Sequence, residues 1–175
     1  QSRSGFAISS LKPAADAVLP RSFTALAADG ETQLHGVMFL PSDFDPSKRY
    51  PLVDYIYPGP QVAHAPQTYL AVGAAQAAAL AELGFVTFMC DTRGMPIGSR
   101  ARHQACYGTI SDPQIADNAA VARQLCDRQA FIDKSKVGLF GYSAGGAATA
   151  RMLFNYGELF QVGVSVCGPN DNNWS

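Results

Sequence analysis

The chain has 175 residues, 47% of them hydrophobic and 15% charged, with a mean hydropathy of +0.00. That composition suits a globular domain, or part of one, able to bury a core, and does not suit a disordered or fibrous segment. Thirteen Lys and Arg residues against 14 Asp and Glu leave a net charge of −1, with the cations scattered, so nothing favours nucleic acid or an anionic membrane surface.

No run reaches the ~18 consecutive apolar residues of a membrane span. The most apolar helical stretch, 70–83, is broken by Gly73, Gln76 and Glu82. The N-terminal residues, which start at Gln1 and not at Met, show no secretory-signal pattern.

In chain order, 22–28 and 32–40 read as two strands joined by a turn at Asp29-Gly30, a hairpin signal. The proline- and aspartate-rich stretch 41–51 is a loop, and LVDYIY (52–57) is a short strand stopped by Pro58-Gly59-Pro60. Residues 68–83 read as a helix ended by Gly84. FVTFMC (85–90) has the near-continuous apolar character of a strand buried on both faces. A Gly- and Arg-rich loop follows, from Asp91 to about Ile110. Ser111-Asp112-Pro113 then opens a helix to about Gln129, with Ser111 as the capping residue and Ile115, Ala119, Ala122 and Leu125 at helical spacing. KVGLFGY (136–142) is a strand, 144–155 a helix, and FQVGVSVC (160–167) a further buried strand. From residue 51 onward strands and helices alternate. That pattern predicts an α/β fold with a mostly parallel, doubly wound sheet and the early hairpin as its antiparallel edge.

The four cysteines lack C-x-x-C spacing, which disfavours zinc ribbons and redox motifs. Cys90 and Cys167, at the ends of apolar runs, read as buried thiols. Cys106 and Cys126 are compatible with either free thiols or a disulfide, and the redox compartment stays open.

Gly141-Tyr142-Ser143-Ala144-Gly145 fits G-x-S-x-G between a buried strand and a small-residue helix. A serine hydroxyl becomes a nucleophile when a sharp strand-to-helix turn projects it away from its own strand. Glycines two residues either side allow neighbouring backbone to approach, and the turn aims the Ala144 N–H, at a helix N-terminus, at a developing oxyanion. The other reading of the motif is a glycine-rich βα turn used for phosphate binding or close packing. Tyr57 stands where LVDYIY meets the stiff Pro-Gly-Pro loop, at the strand edge where open α/β sheets bind ligands, and its hydroxyl can supply a second oxyanion donor. Taken alone, Tyr57 reads as a half-buried aromatic at a strand end.

Four blocks, 29–61, 83–94, 107–117 and 131–146, resemble in order and spacing the prolyl oligopeptidase family of serine peptidases, most closely its dipeptidyl-peptidase-IV-like branch. The resemblance runs from about residue 22 to 167. It implies an α/β-hydrolase fold, with Ser143 as the acylated nucleophile and Tyr57 and the Ala144 amide as the oxyanion hole. It implies no metal or cofactor and a peptide substrate; a homodimer is compatible with it, and the oligomeric state stays open. Asp91-Thr92-Arg93-Gly94 matches the family's D-x-R-G block and reads as a structural corner. Where many members carry an aromatic after the nucleophile, this chain has Ala144, so the residue preferred before the scissile bond is not carried over.

An α/β-hydrolase orders its triad as serine, acid, histidine. After Ser143 there is no histidine, and the only acids are Glu158 and Asp171. His35 reads as a strand residue, His64 as a loop or pocket-rim residue and His103 as a loop residue. The expectation is therefore that the base and its carboxylate lie outside this sequence. On that view residues 1–21 are a linker from a preceding β-propeller, 22–175 are the first part of a catalytic domain, and the 175 residues alone are inactive. A sheet ending after 160–167 is expected to bare an apolar edge. Two other functions fit the same residues, an esterase or acyl hydrolase of the same fold and a non-catalytic α/β binding module. Bacterial members of the family are often exported, so the resemblance points to the periplasm or to secretion, with a cytoplasmic protein also compatible.

Overall fold

A computed structural model describes residues 18–67, 73–109 and 111–169. Among the described residues six strands, β1 (Arg21–Leu26), β2 (Gln33–Phe39), β3 (Tyr50–Ile56), β4 (Val86–Asp91), β5 (Ile132–Tyr142) and β6 (Val162–Val166), form one sheet. Their order is β1-β2-β4-β3-β5-β6. β1 and β2 pair antiparallel, as do β2 and β4. β4, β3, β5 and β6 run parallel, so the hairpin lies at the antiparallel side of an α/β sheet. The hairpin turn is held by Asp29, whose carboxylate accepts from the N–H groups of Glu31 and Thr32 and from the Thr32 hydroxyl.

Helices cover both faces of the sheet, because every strand between the edges must bury two rows of side chains. On one face Leu34, Leu52, Ile56, Phe88 and Leu139 pack with α3 (Asp112–Arg128) and α4 (Ala144–Asn155), through residues that include Ile115, Ala122 and Met152. On the other face Phe39, Tyr55 and Met89 pack with α1 (Ala74–Glu82), through Ala74, Ala77 and Ala81. All six residues of β4 are buried, as its apolar run predicts. α1 ends before Gly84, which takes φ +94° and donates to the Ala81 carbonyl. The first five residues expected in that helix, 68–72, lie outside the described residues, as do 1–17 of the expected linker and the segment 170–175.

Several local expectations are corrected. The first strand begins at Arg21, one residue inside the expected linker. β5 starts at Ile132, four residues earlier than predicted, because a polar excursion disguises it. Asp133 folds back on Ser135 there, and the pairing with β3 shifts register between Tyr50 and Leu52. Within the Arg-rich loop a short helix, α2 (Arg100–His103), forms where Ser99 accepts from the Arg102 N–H, and a 3-10 turn follows at Gln104–Cys106. Ser111 does not cap α3 with its side chain: it takes φ +68°, outside the extended geometry of a capping serine, and Pro113 supplies the preorganised first turn instead.

β6 is not the buried strand its composition suggested. Val162 is 63% exposed and Val164 50%, because among the described residues β6 pairs with β5 alone and no helix covers its second face. Cys167 at its end is exposed, whereas Cys90 is buried as expected. All four cysteines are free, Cys106 and Cys126 included. No helix among the described residues is long and apolar enough to cross a membrane.

Candidate active site

The sequence GLFGYSAGG makes its turn by forcing backbone against backbone. Ser143, between β5 and α4, takes φ 56° and ψ −121°, a conformation that costs a non-glycine residue of order 1–3 kcal/mol. Three hydrogen bonds hold it there: its N–H donates to the Val166 carbonyl at 2.8 Å, and its carbonyl accepts from Gly146 at 2.8 Å and Ala147 at 3.2 Å. Both motif glycines are sterically required. A Cβ on Gly141 would stand 2.0 Å from the Gly145 oxygen, and one on Gly145 would stand 2.1 Å from the Ile56 oxygen.

The second contact carries the first turn of α4 onto the end of β3. The same Cβ on Gly145 would lie 3.4 Å from the Tyr57 Cα, and Ile56 is the register partner of Gly141 on β5. Ser143 and Tyr57 therefore stand at the C-terminal ends of adjacent parallel strands. Both are half-buried. Ala144, also half-buried, is the first residue of α4, so its N–H has no partner within the helix. The end of β6 closes the other flank, with the Ser165 hydroxyl donating to the Gly146 carbonyl.

The histidines do not meet Ser143. His35 is exposed on β2. The His103 imidazole bonds the Pro60 carbonyl at 2.9 Å, and the His64 imidazole bonds the Tyr55 carbonyl. Both rings thus fasten the loop that follows Tyr57. A carbonyl only accepts, so Nε2 of each ring carries the proton. Burial lowers the His64 pKa to about 4 against the opposing pull of the Tyr55 carbonyl, which leaves the imidazole neutral around pH 7.

Asp91, the last residue of β4, is tied to the same loop. Its Oδ1 accepts from the N–H of His64 at 2.7 Å and of Ala65 at 2.9 Å. Burial raises its carboxyl pKa, opposed by those two amides and by Arg102 and His35. Arg93 serves as the corner piece. Its Nε and Nη2 bond the Asp117 carboxylate, its Nη1 reaches Asp29 at 2.9 Å, and Asp117 also accepts from the N–H of Arg93 and Ala28. The D-x-R-G block therefore joins β4, α3 and the hairpin.

Sequence reasoning missed the roles of Asp91 and His64, because their contacts span 27 and 9 residues and leave no local signature. It also passed over Asp54, a fully buried carboxyl in β3 whose two oxygens have no partner among the described residues. Burial pushes its pKa well above the usual carboxylate range. Among the described residues no three His, Cys, Asp or Glu side chains come together in a way that suits a metal ion.

Comparison with known proteins places these features in context. Residues 71–174 match the prolyl oligopeptidase family. The chain is 30% identical to human dipeptidyl peptidase 8 over 158 residues, which is 90% of this chain and 18% of that protein. It is 28% identical to the venom dipeptidyl peptidase 4 of Apis mellifera, over 74% of this chain and 16% of the relative. A solved structure from Bacteroides ovatus, provisionally described as a dipeptidyl aminopeptidase IV, superposes with a TM-score of 0.78 at 28% identity, covering 84% of this chain and 21% of that one. The chain thus spans about a fifth of the length of these relatives.

Proposed function

Because the chain belongs to the prolyl oligopeptidase family, we propose that it carries the nucleophile and oxyanion hole of a serine peptidase of the dipeptidyl-peptidase-IV-like branch. In this reading the Ser143 hydroxyl attacks the scissile carbonyl carbon and forms an acyl-enzyme, releasing the amine half of the peptide. The developing oxyanion is held between the Tyr57 hydroxyl and the Ala144 N–H. The serine proton passes to a histidine base and from there to the leaving amine. That histidine and its carboxylate partner belong to the rest of the catalytic domain, of which these 175 residues form the first part, and the segment alone is inactive. Water then hydrolyses the acyl-enzyme by the same route in reverse.

The observation that supports this best is the contact of Gly145 with Ile56 and Tyr57, which sets a serine in a strained turn beside the tyrosine at the neighbouring strand end. The reading of the segment as part of a larger domain draws on the uncovered valines of β6 and on the fraction of each relative that the chain spans.

The test uses the protein that contains this segment together with its remaining catalytic domain. A fluorophosphonate probe is expected to label Ser143, with labelling and turnover abolished by Ser143→Ala. Hydrolysis of X-Pro or X-Ala amides supports the peptidase. Labelling with turnover of acyl esters alone makes the protein an esterase of the same fold, and an unlabelled Ser143 makes it a non-catalytic module.

A further inference from the structure

Resting on the reading of Tyr57 as an oxyanion donor, we propose that Asp91 and His64 are positioning residues that fix the Tyr57 hydroxyl through the loop that follows it. Pro58 and Pro60 have no N–H to donate, and no backbone hydrogen bond runs within residues 57–65. Three side chains hold it instead, those of Asp91, His64 and His103. One oxygen of Asp91 takes the N–H groups of both His64 and Ala65, which pins the far end of the loop to the end of β4. From that anchor the His64 side chain reaches back to the Tyr55 carbonyl, two residues before Tyr57. His103 holds the middle of the loop at Pro60.

This arrangement puts the imidazole against the rings on either side of the strand end. The His64 ring lies edge-on to Tyr55, with centroids 5.4 Å apart, and inclined at 32° to Tyr57, with centroids 6.2 Å apart. The Tyr57 phenol otherwise turns freely about its side-chain torsions once it leaves the sheet. A half-buried ring with a neighbouring ring at one side and a pinned loop beyond it has far fewer orientations. An oxyanion donor is effective only when it is already placed where the charge will develop, and small displacements cost rate and not substrate binding.

A kinetic double-mutant cycle on the full-length enzyme tests this. His64→Leu and Asp91→Ala are each expected to lower kcat by roughly tenfold or more with KM nearly unchanged, the signature of an interaction made in the transition state. His64→Gln keeps a donor for the Tyr55 carbonyl and Asp91→Asn keeps an acceptor for both amides, so each is expected to recover most of the rate. These conservative variants also serve if His64→Leu or Asp91→Ala fails to fold, which a thermal melt shows. In a Tyr57→Phe background, His64→Leu is expected to cost less than about twofold, because the group it positions is gone. Losses that multiply in the double variant, or a silent His64→Leu in a folded protein, overturn the positioning role and leave Tyr57 as a donor. A silent Tyr57→Phe overturns the donor reading and the positioning role together, while fluorophosphonate labelling of Ser143 reports separately on the nucleophile.

Discussion

Gly145 lies so close to Ile56 that a Cβ placed on it would stand 2.1 Å from the Ile56 carbonyl oxygen. The atoms on both sides are backbone, one in the first turn of α4 and one at the end of β3, so neither can swing aside. Gly145→Ala is therefore expected to destabilise the protein by about 2–3 kcal/mol or to push α4 away from β3. The second outcome separates Ser143 from Tyr57. A urea denaturation curve measures the first, and loss of fluorophosphonate labelling in the full-length protein measures the second.

Asp54 is expected to be a liability to stability. Its carboxyl is fully buried between strands β4 and β5, opposite Phe88 and Leu139, with neither oxygen partnered among the described residues. Asp54→Val, which replaces it with an apolar side chain of similar size, is expected to raise stability at pH 7 by about 1–3 kcal/mol. The sign with pH follows from the raised pKa of the folded state. The wild-type contribution is greatest below the unfolded carboxyl value of 3.8 and is lost as pH rises toward the folded value, so the advantage of the variant grows with pH. Urea midpoints at pH 5 and pH 7 check both the direction and the trend.

His64 has the opposite pH behaviour. Its folded pKa is lowered from 6.5 to about 4, so its neutral form is favoured by folding. The associated stability is complete above about pH 6.5 and is lost progressively as pH falls to about 4, by as much as ~3 kcal/mol. His64→Gln, which cannot titrate, is expected to flatten this part of the stability profile. Asp91, packed on the same loop with Arg102 and His35 nearby, stays in both proteins, so the difference between the two profiles isolates His64. Melting temperatures from pH 7 to pH 4 give the comparison.

The Arg93 corner supplies a fourth test. Asp117 is fully buried and takes a forked contact from the Arg93 guanidinium, which is itself 20% exposed on its side chain. Removing the cation leaves a buried carboxylate without its counter-charge. Arg93→Ala is expected to cost about 3–5 kcal/mol. Arg93→Lys is expected to recover only part of that loss, since an ammonium cannot satisfy two carboxylate oxygens of Asp117 and reach Asp29 together. Chemical denaturation of the two variants measures the difference.

Much of the architecture was legible because its signals are local. The apolar run of β4, the Asp29-Gly30 turn, the helical spacing of Ile115, Ala119, Ala122 and Leu125, and Gly84 at the helix end are each read within one or two turns of chain. The strand, glycines and small-residue helix around Ser143 are legible for the same reason, and so is the stiff loop after Tyr57. Local reading failed where exposure or geometry depends on neighbours distant in sequence. β6 has the composition of a buried strand, and its place at the sheet edge leaves Val162 and Val164 uncovered, the bared apolar edge that was expected after 160–167. The Ile132 end of β5 was hidden by the polar residues of its irregular pairing.

By itself, then, the sequence determined the alternation of strands and helices and the strained turn at Ser143, since both follow from periodicity and from glycine placed where a Cβ cannot fit. Tertiary structure alone decided that Asp91 clamps the loop behind Tyr57, that His64 stays neutral against the Tyr55 carbonyl, and that Asp54 is sealed in the core. Those outcomes depend on which strands become neighbours, and burial and hydrogen bonding are set by proximity in space, which sequence separation does not encode.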